Sequence, residues 1–209
     1  ALEALNRYTE LHTPDARILH ALAAARFQSV DYHGALEAAE QATVLDAKLT
    51  AAWHYQGLAL ERLDKQDLAL QRFQKAADLD PGNFPILPDH RLLDWDSHVD
   101  HALDHLPQPI QVFYDGLEIR FADFPAVEDL LENYPPLSPF TDALYRGTPP
   151  KDTDPWSKRP EWISLFRGNL SRPSHDPTAI TKRITEALMH EAMHWLGISE
   201  FPESFTPTQ

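Results

Sequence analysis

Met189-His190-Glu191-Ala192-Met193-His194-Trp195-Leu196-Gly197-Ile198-Ser199-Glu200 is the stretch that decides how the second half of this chain folds. It reads H-E-x-x-H followed by x-x-G-x-x-E. On an α-helix His190 and His194 stand one turn apart and face the same way, so both imidazoles can reach one ion. Glu191 sits beside them, close enough to take a proton from an activated water without being a ligand itself. Gly197 accepts the left-handed conformation that stops a helix and turns the chain back. Glu200, three residues later, can then swing round as a third ligand. Two imidazoles, one carboxylate and an open position describe a catalytic zinc site, not a structural one.

Upstream, Asp176 is the expected N-cap, with Pro177 at the first helical position. Ile180, Ile184, Leu188 and Trp195 recur at helical spacing and predict a helix over Thr178 to Leu196 with one face buried. Glu161 to Arg167 reads as a strand through Trp162-Ile163-Ser164-Leu165-Phe166. Pro135 to Pro160, rich in Pro, Thr, Asp and Ser, reads as a loop too long to be idle. Pro125 to Asn133 reads as a short helix. Gln111 to Phe121 reads as a strand, with Leu117, Ile119 and Phe121 alternating against Glu118 and Arg120. Leu92, Trp95, Val99, Ala102, Leu103 and Leu106 form the stripe of another helix. His98, His101 and His105 share a face away from that stripe, interleaved with Asp96, Asp100 and Asp104, and are read as a solvated polar face rather than a second metal cluster. Lys151 to Asp154 lacks calcium-loop spacing and is read as surface.

The first half has a different grammar. From Ala1 to about Asn83 it is rich in Ala and Leu, almost free of proline, and repeats with a period of 34. Leu19 aligns with Trp53, Ala23 with Gly57, Ala35 with Ala69, Ala42 with Ala76 and Asp46 with Asp80. Trp53, Gly57, Leu60, Ala69, Phe73, Ala76 and Pro81 make a pattern that resembles the tetratricopeptide repeat. Small residues at Gly57, Ala69 and Ala76 let paired helices approach closely, while Trp53 and Phe73 fill the space between them. Ala16 to Leu49 and Thr50 to Asn83 are two full repeats, and Ala1 to His12 is in register with the second helix of an earlier one. A stable stack takes about three repeats, so either more lie upstream of Ala1 or the second half caps this one. Pro81, Pro85 and Pro88 mark the boundary.

With 209 residues the chain can bury one large or two small cores. It has no cysteine, which rules out disulfides and cysteine-based metal sites and leans towards a reducing, cytoplasmic compartment. A formal net charge of −14 argues against a nucleic-acid footprint and against anionic membranes. No apolar run approaches the roughly 20 residues that span a bilayer; no signal peptide is visible, but the chain opens at Ala1 inside a helical pattern without an initiator Met, which leaves a leader upstream open.

The second half resembles the minimal zincin metallopeptidases, small bacterial proteins with the motif H-E-x-x-H-x-x-G-x-x-D. The flanks agree in kind: the helix before Leu106-Pro107, the strand Leu117 to Phe121, the segment Leu144-Tyr145-Arg146-Gly147-Thr148-Pro149, and Ile163 to Arg167. Glu200 departs from the usual Asp by one methylene, which makes Glu203 a competing third ligand. The fold this implies is mostly helical with a small β-sheet. Repeat-like helices over 1–83 and a linker over 84–93 precede an α+β minimal zincin domain over 94–209. In zincins an edge strand above the active-site helix binds the substrate backbone by strand addition. By position that strand is Trp162 to Phe166, so Trp162, Ser164, Phe166 and Tyr145 are the candidate substrate-binding residues, with Tyr145 or Arg146 as an oxyanion donor. The resemblance implies a bacterial, cytoplasmic zinc-dependent endopeptidase, with His190, His194 and Glu200 as ligands and Glu191 as base. Its protein substrate would be recruited by the repeats. The alternative is a repeat adaptor whose zinc domain is catalytically latent.

Overall fold

The computed structural model describes residues 1–87, 89–132, 135–150, 154–172 and 177–198. It divides into two compact units: Ala1–Ile86 together with Ala126–Pro139, and Leu87–Pro125 together with Phe140–Gln209. The fold is mostly helical with one small sheet, as its sequence implies.

The first unit opens with α1 (Leu2–Leu11), α2 (Ala16–Gln28), α3 (Tyr32–Leu45), α4 (Thr50–Arg62) and α5 (Gln66–Leu79). The repeat shows in the helix starts, since α2 to α4 (16 to 50) and α3 to α5 (32 to 66) are both steps of 34. The turns repeat as well. Val30 and Asp64, again 34 apart, are the two described non-glycine residues with positive φ, at 66° and 58°. Each closes a helix in the same way: Asp31 N donates to Arg26 O and Lys65 N to Leu60 O, both at 2.9 Å. This is the left-handed cap usually assigned to glycine. A β-branched residue there costs about 1–2 kcal/mol, and burial of Val30 offsets it.

Alanines do the packing. Ala23, Ala38 and Ala39 lie against Leu22, and Ala42 and Ala52 against Leu19. A Cβ on Gly57 would lie 2.5 Å from the Phe73 ring, so only glycine lets α4 and α5 approach this closely. Gly57→Ala is expected to destabilise this unit by about 1–3 kcal/mol, read as a lowered thermal midpoint. Trp53 does not fill the helix interface as expected: it is half-buried, its indole N–H donating to Ala47 O at 2.9 Å and Arg72 lying over its ring. A buried amide takes part instead, Gln56 Nε2 donating to Ala39 O (3.2 Å) and Thr43 Oγ1 (2.8 Å).

Onward run α6 (Trp95–Asp104), α7 (Gln108–Tyr114), β1 (Ile119–Ala122), α8 (Val127–Leu131), β2 (Ala143–Arg146), β3 (Trp162–Phe166), α9 (Arg167–Leu170) and α10 (Pro177–Leu196). α8 belongs to the first unit, where Leu130 is fully buried and Arg62 Nη2 donates to Pro139 O at 3.2 Å. The other elements form the second unit, whose core joins Trp95, Ile110, Phe113, Ile163, Leu165 and Trp195. The sheet order is β1-β3-β2, with β1 parallel and β2 antiparallel to β3.

Three expectations are corrected. Gln111 to Phe121 is not one strand: its first part lies in α7, where Pro109 sits in the first turn and Ile110, Phe113 and Tyr114 face inward at helical spacing. Gly116, at φ 72°, then turns the chain into β1. Leu92 is 84% exposed, in a short 3-10 turn before α6, and does not join its stripe. The loop expected over Pro135 to Pro160 contains β2. The boundary at Pro88, the N-cap at Asp176 and the helix end at Asn133 lie outside the described residues. On α6, His101, His105 and the three aspartates are exposed, while His98 is half-buried with Nδ1 2.8 Å from Thr181 Oγ1.

Candidate active site

α10 carries the site because one of its faces is fixed. Ile184, Leu188, Ala192 and Trp195 are buried, Tyr114 Oη donates to Leu188 O at 2.6 Å, and Trp195 Nε1 donates to Lys158 O at 2.9 Å. The helix stops where the glycine predicts. Gly197 has φ 67°, Gly197 N donates to His194 O at 3.2 Å, and Ile198 N donates to Met193 O at 3.0 Å. These two bonds form a Schellman cap.

His190 and His194 are exposed on this helix, with ring centroids 6.2 Å apart and planes inclined by 33°. They stand one helical turn apart, the spacing at which two imidazoles can be turned towards one ion. Glu191 is only 5% exposed. Burial raises its carboxyl pKa to about 7, against the opposing pull of the Tyr145 N–H, which donates to Glu191 Oε2 at 3.1 Å. Burial, and then Glu191 itself, also push up the Tyr114 and Tyr145 phenols. Among the described residues no third His, Cys, Asp or Glu completes a metal cluster. Glu200 and its competitor Glu203 lie outside the described residues.

Tyr145 is drawn into the site by β2. Its ring lies 5.5 Å from that of His194 and meets Trp195 edge-on at 5.1 Å. Gly147, at φ 127°, then carries the chain past Trp195, where a Cβ would come within 3.3 Å of the indole. The strand expected to be open to a peptide, Trp162 to Phe166, is not. It is β3, the middle strand, its two edges engaged by β1 and β2. Strand addition, the ground for expecting substrate contacts at Trp162, Ser164 and Phe166, needs an unpaired edge, which β3 lacks. Trp162 instead carries the Arg120 guanidinium 3.8 Å above its ring, and Phe166 is buried. β2 is the strand that packs on α10 and, among the described residues, has β3 on one side only.

An ion pair not anticipated from the sequence ties β2 to α10. Arg183 Nη2 donates to both carboxylate oxygens of Asp142 at 2.7 Å, and Arg183 Nη1 donates to Asn169 O at 3.0 Å. Burial raises the Asp142 pKa despite Arg183.

In the metal-free protein, Glu191 makes stability depend on pH. Its carboxyl is neutral in both folded and unfolded chains at low pH. Between the unfolded value near 4.5 and the folded value of about 7, the unfolded chain ionises while the buried carboxyl stays protonated, which favours unfolding until the buried group ionises too. Stability from this group is therefore full in acid and lost above neutrality, by up to about 3 kcal/mol. Glu191→Gln is expected to flatten that slope in denaturant titrations of chelated protein between pH 5 and 8. An unchanged slope would place the carboxyl in water.

The helix thus presents two exposed imidazoles and a buried carboxylic acid next to β2. The family model for zincin-like metallopeptidases matches residues 114–204, which span both the sheet and α10. The matched segment, less than half of the chain, is similar to zincin-like metallopeptidases. Among solved structures, a crystal structure of MamA is matched with 25% identity and a TM-score of 0.38. The match covers 39% of this chain and 47%, about half, of that one. No curated protein matches the chain. Among the described residues no helix is long and apolar enough to cross a membrane.

Proposed function

We propose that the chain is a zinc-dependent endopeptidase whose repeats recruit its protein substrate. The observation that carries this reading is the Glu191 carboxyl. It is buried, its pKa is raised to about 7, and it lies between two exposed histidines under β2. The family match over the same residues supports it.

His190, His194 and Glu200 would hold the metal. When bound, zinc supplies a Lewis acid for the scissile carbonyl and an acidified water. Glu191 would take a proton from that water and pass it to the leaving nitrogen. The peptide lies along β2, whose outer edge can accept an added strand. Tyr145 brings its backbone to the base and its ring to His194, and is the substrate-binding residue retained from the sequence. The helix pairs of the first unit offer the stacked surface on which repeat proteins bind partners.

The test is to incubate the zinc-supplemented full chain with a peptide library prepared from cell protein and to read new termini by mass spectrometry. Cleavage at a restricted set of bonds, abolished by chelation and restored by zinc, is expected. A library left intact under both conditions contradicts the proposal.

A further inference from the structure

We propose that Arg183 and Asp142 are a positioning pair that holds β2, and with it the Tyr145 amide, over Glu191. The proposal deepens the peptidase reading and rests on it for its catalytic meaning; the geometry is measurable without turnover. Asp142 immediately precedes β2. Its backbone is fixed to the sheet, Phe166 N donating to Asp142 O at 2.9 Å. Its neighbour Thr141 accepts at O from Nδ2 of the buried Asn169 at 2.6 Å. Arg183 joins these threads, holding both Asp142 oxygens through Nη2 and the Asn169 carbonyl through Nη1.

The second tie is the Tyr145 N–H on Glu191 Oε2. The two ties match in spacing. From Asp142 to Tyr145 is about 10 Å along a strand, and from Arg183 to Glu191 is about 12 Å along a helix. Strand and helix thus run side by side, pinned at both ends. Arg183 also lies on the His190 face, seven residues and two turns earlier. The Tyr145 tie ends on the carboxyl assigned to the proton transfer. The Arg183 tie takes no part in that step and keeps the strand in place while it happens.

The experiment is amide exchange by NMR on the full chain, comparing Arg183→Ala, Arg183→Lys, Asp142→Asn and the swapped pair Asp142→Arg/Arg183→Asp. Losing one charged tie should speed exchange at the Tyr145 amide about tenfold in Arg183→Ala and Asp142→Asn. Arg183→Lys should be intermediate and the swap should recover part of the protection. The Ile163 amide, which donates to Glu118 O on the β1 side of the sheet, should keep its rate, and zinc uptake should be unchanged. The proposal is overturned if Tyr145 stays within about twofold of the parent in the isosteric Asp142→Asn. It is also overturned if Ile163 accelerates equally, or if zinc is lost, since the pair would then hold the whole unit or the ligands and not the strand. A parent protein that hydrolyses nothing defeats the peptidase reading and leaves the exchange comparison to decide the pair.

Discussion

Glu191→Gln is expected to leave zinc bound and to lower turnover by about 10²–10⁴-fold. The amide keeps the shape of the side chain and can stay beneath the Tyr145 N–H, because its oxygen still accepts. It cannot take up a proton, so water activation and protonation of the leaving nitrogen are both lost. The kinetic comparison is made at equal zinc content, measured on the same samples. Retained hydrolysis would mean that another group is the base. A parallel loss of zinc would mean that Glu191 is a ligand or a structural support.

Glu200→Ala is expected to strip zinc and activity together, Glu200→Asp to keep partial function, and Glu203→Ala to be mild. The Schellman cap at Gly197 and Ile198 gives the physical reason. The cap ends α10 at Gly197, and Glu200 is the first acid after it in the sequence. Losing an outer neighbour of a metal costs about 10–100-fold in affinity, and losing a direct ligand costs far more. Zinc titration of the three variants ranks them. If Glu203→Ala does the greater damage, Glu203 is the third ligand and the alignment of this turn with the H-E-x-x-H-x-x-G-x-x-D motif is wrong.

What was legible in the sequence is what local physics determines. α10 announces itself through Ile180, Ile184, Leu188 and Trp195, and the repeats through residues 34 apart, because a helix face is written in nearby spacing. Strand order is not written that way. Trp162 to Phe166 reads as a strand and Ala143 to Arg146 as part of a loop, and only their pairing shows that β3 is central. The run Val112-Phe113-Tyr114 favours a strand by side-chain type, yet Pro109 in the first turn of α7 and Gly116 after it were available signals for a helix. Asp142 with Arg183 and Tyr145 with Glu191 lie 41 and 46 residues apart. No spacing rule connects residues so distant; the sheet brings them together.

Metal analysis of the full chain tests the central claim most directly. One zinc per chain is expected in the parent and none in the His190→Ala/His194→Ala double variant, with both proteins folded by circular dichroism. A parent that takes up no zinc, or a double variant that still holds it, would contradict a metal centre on α10.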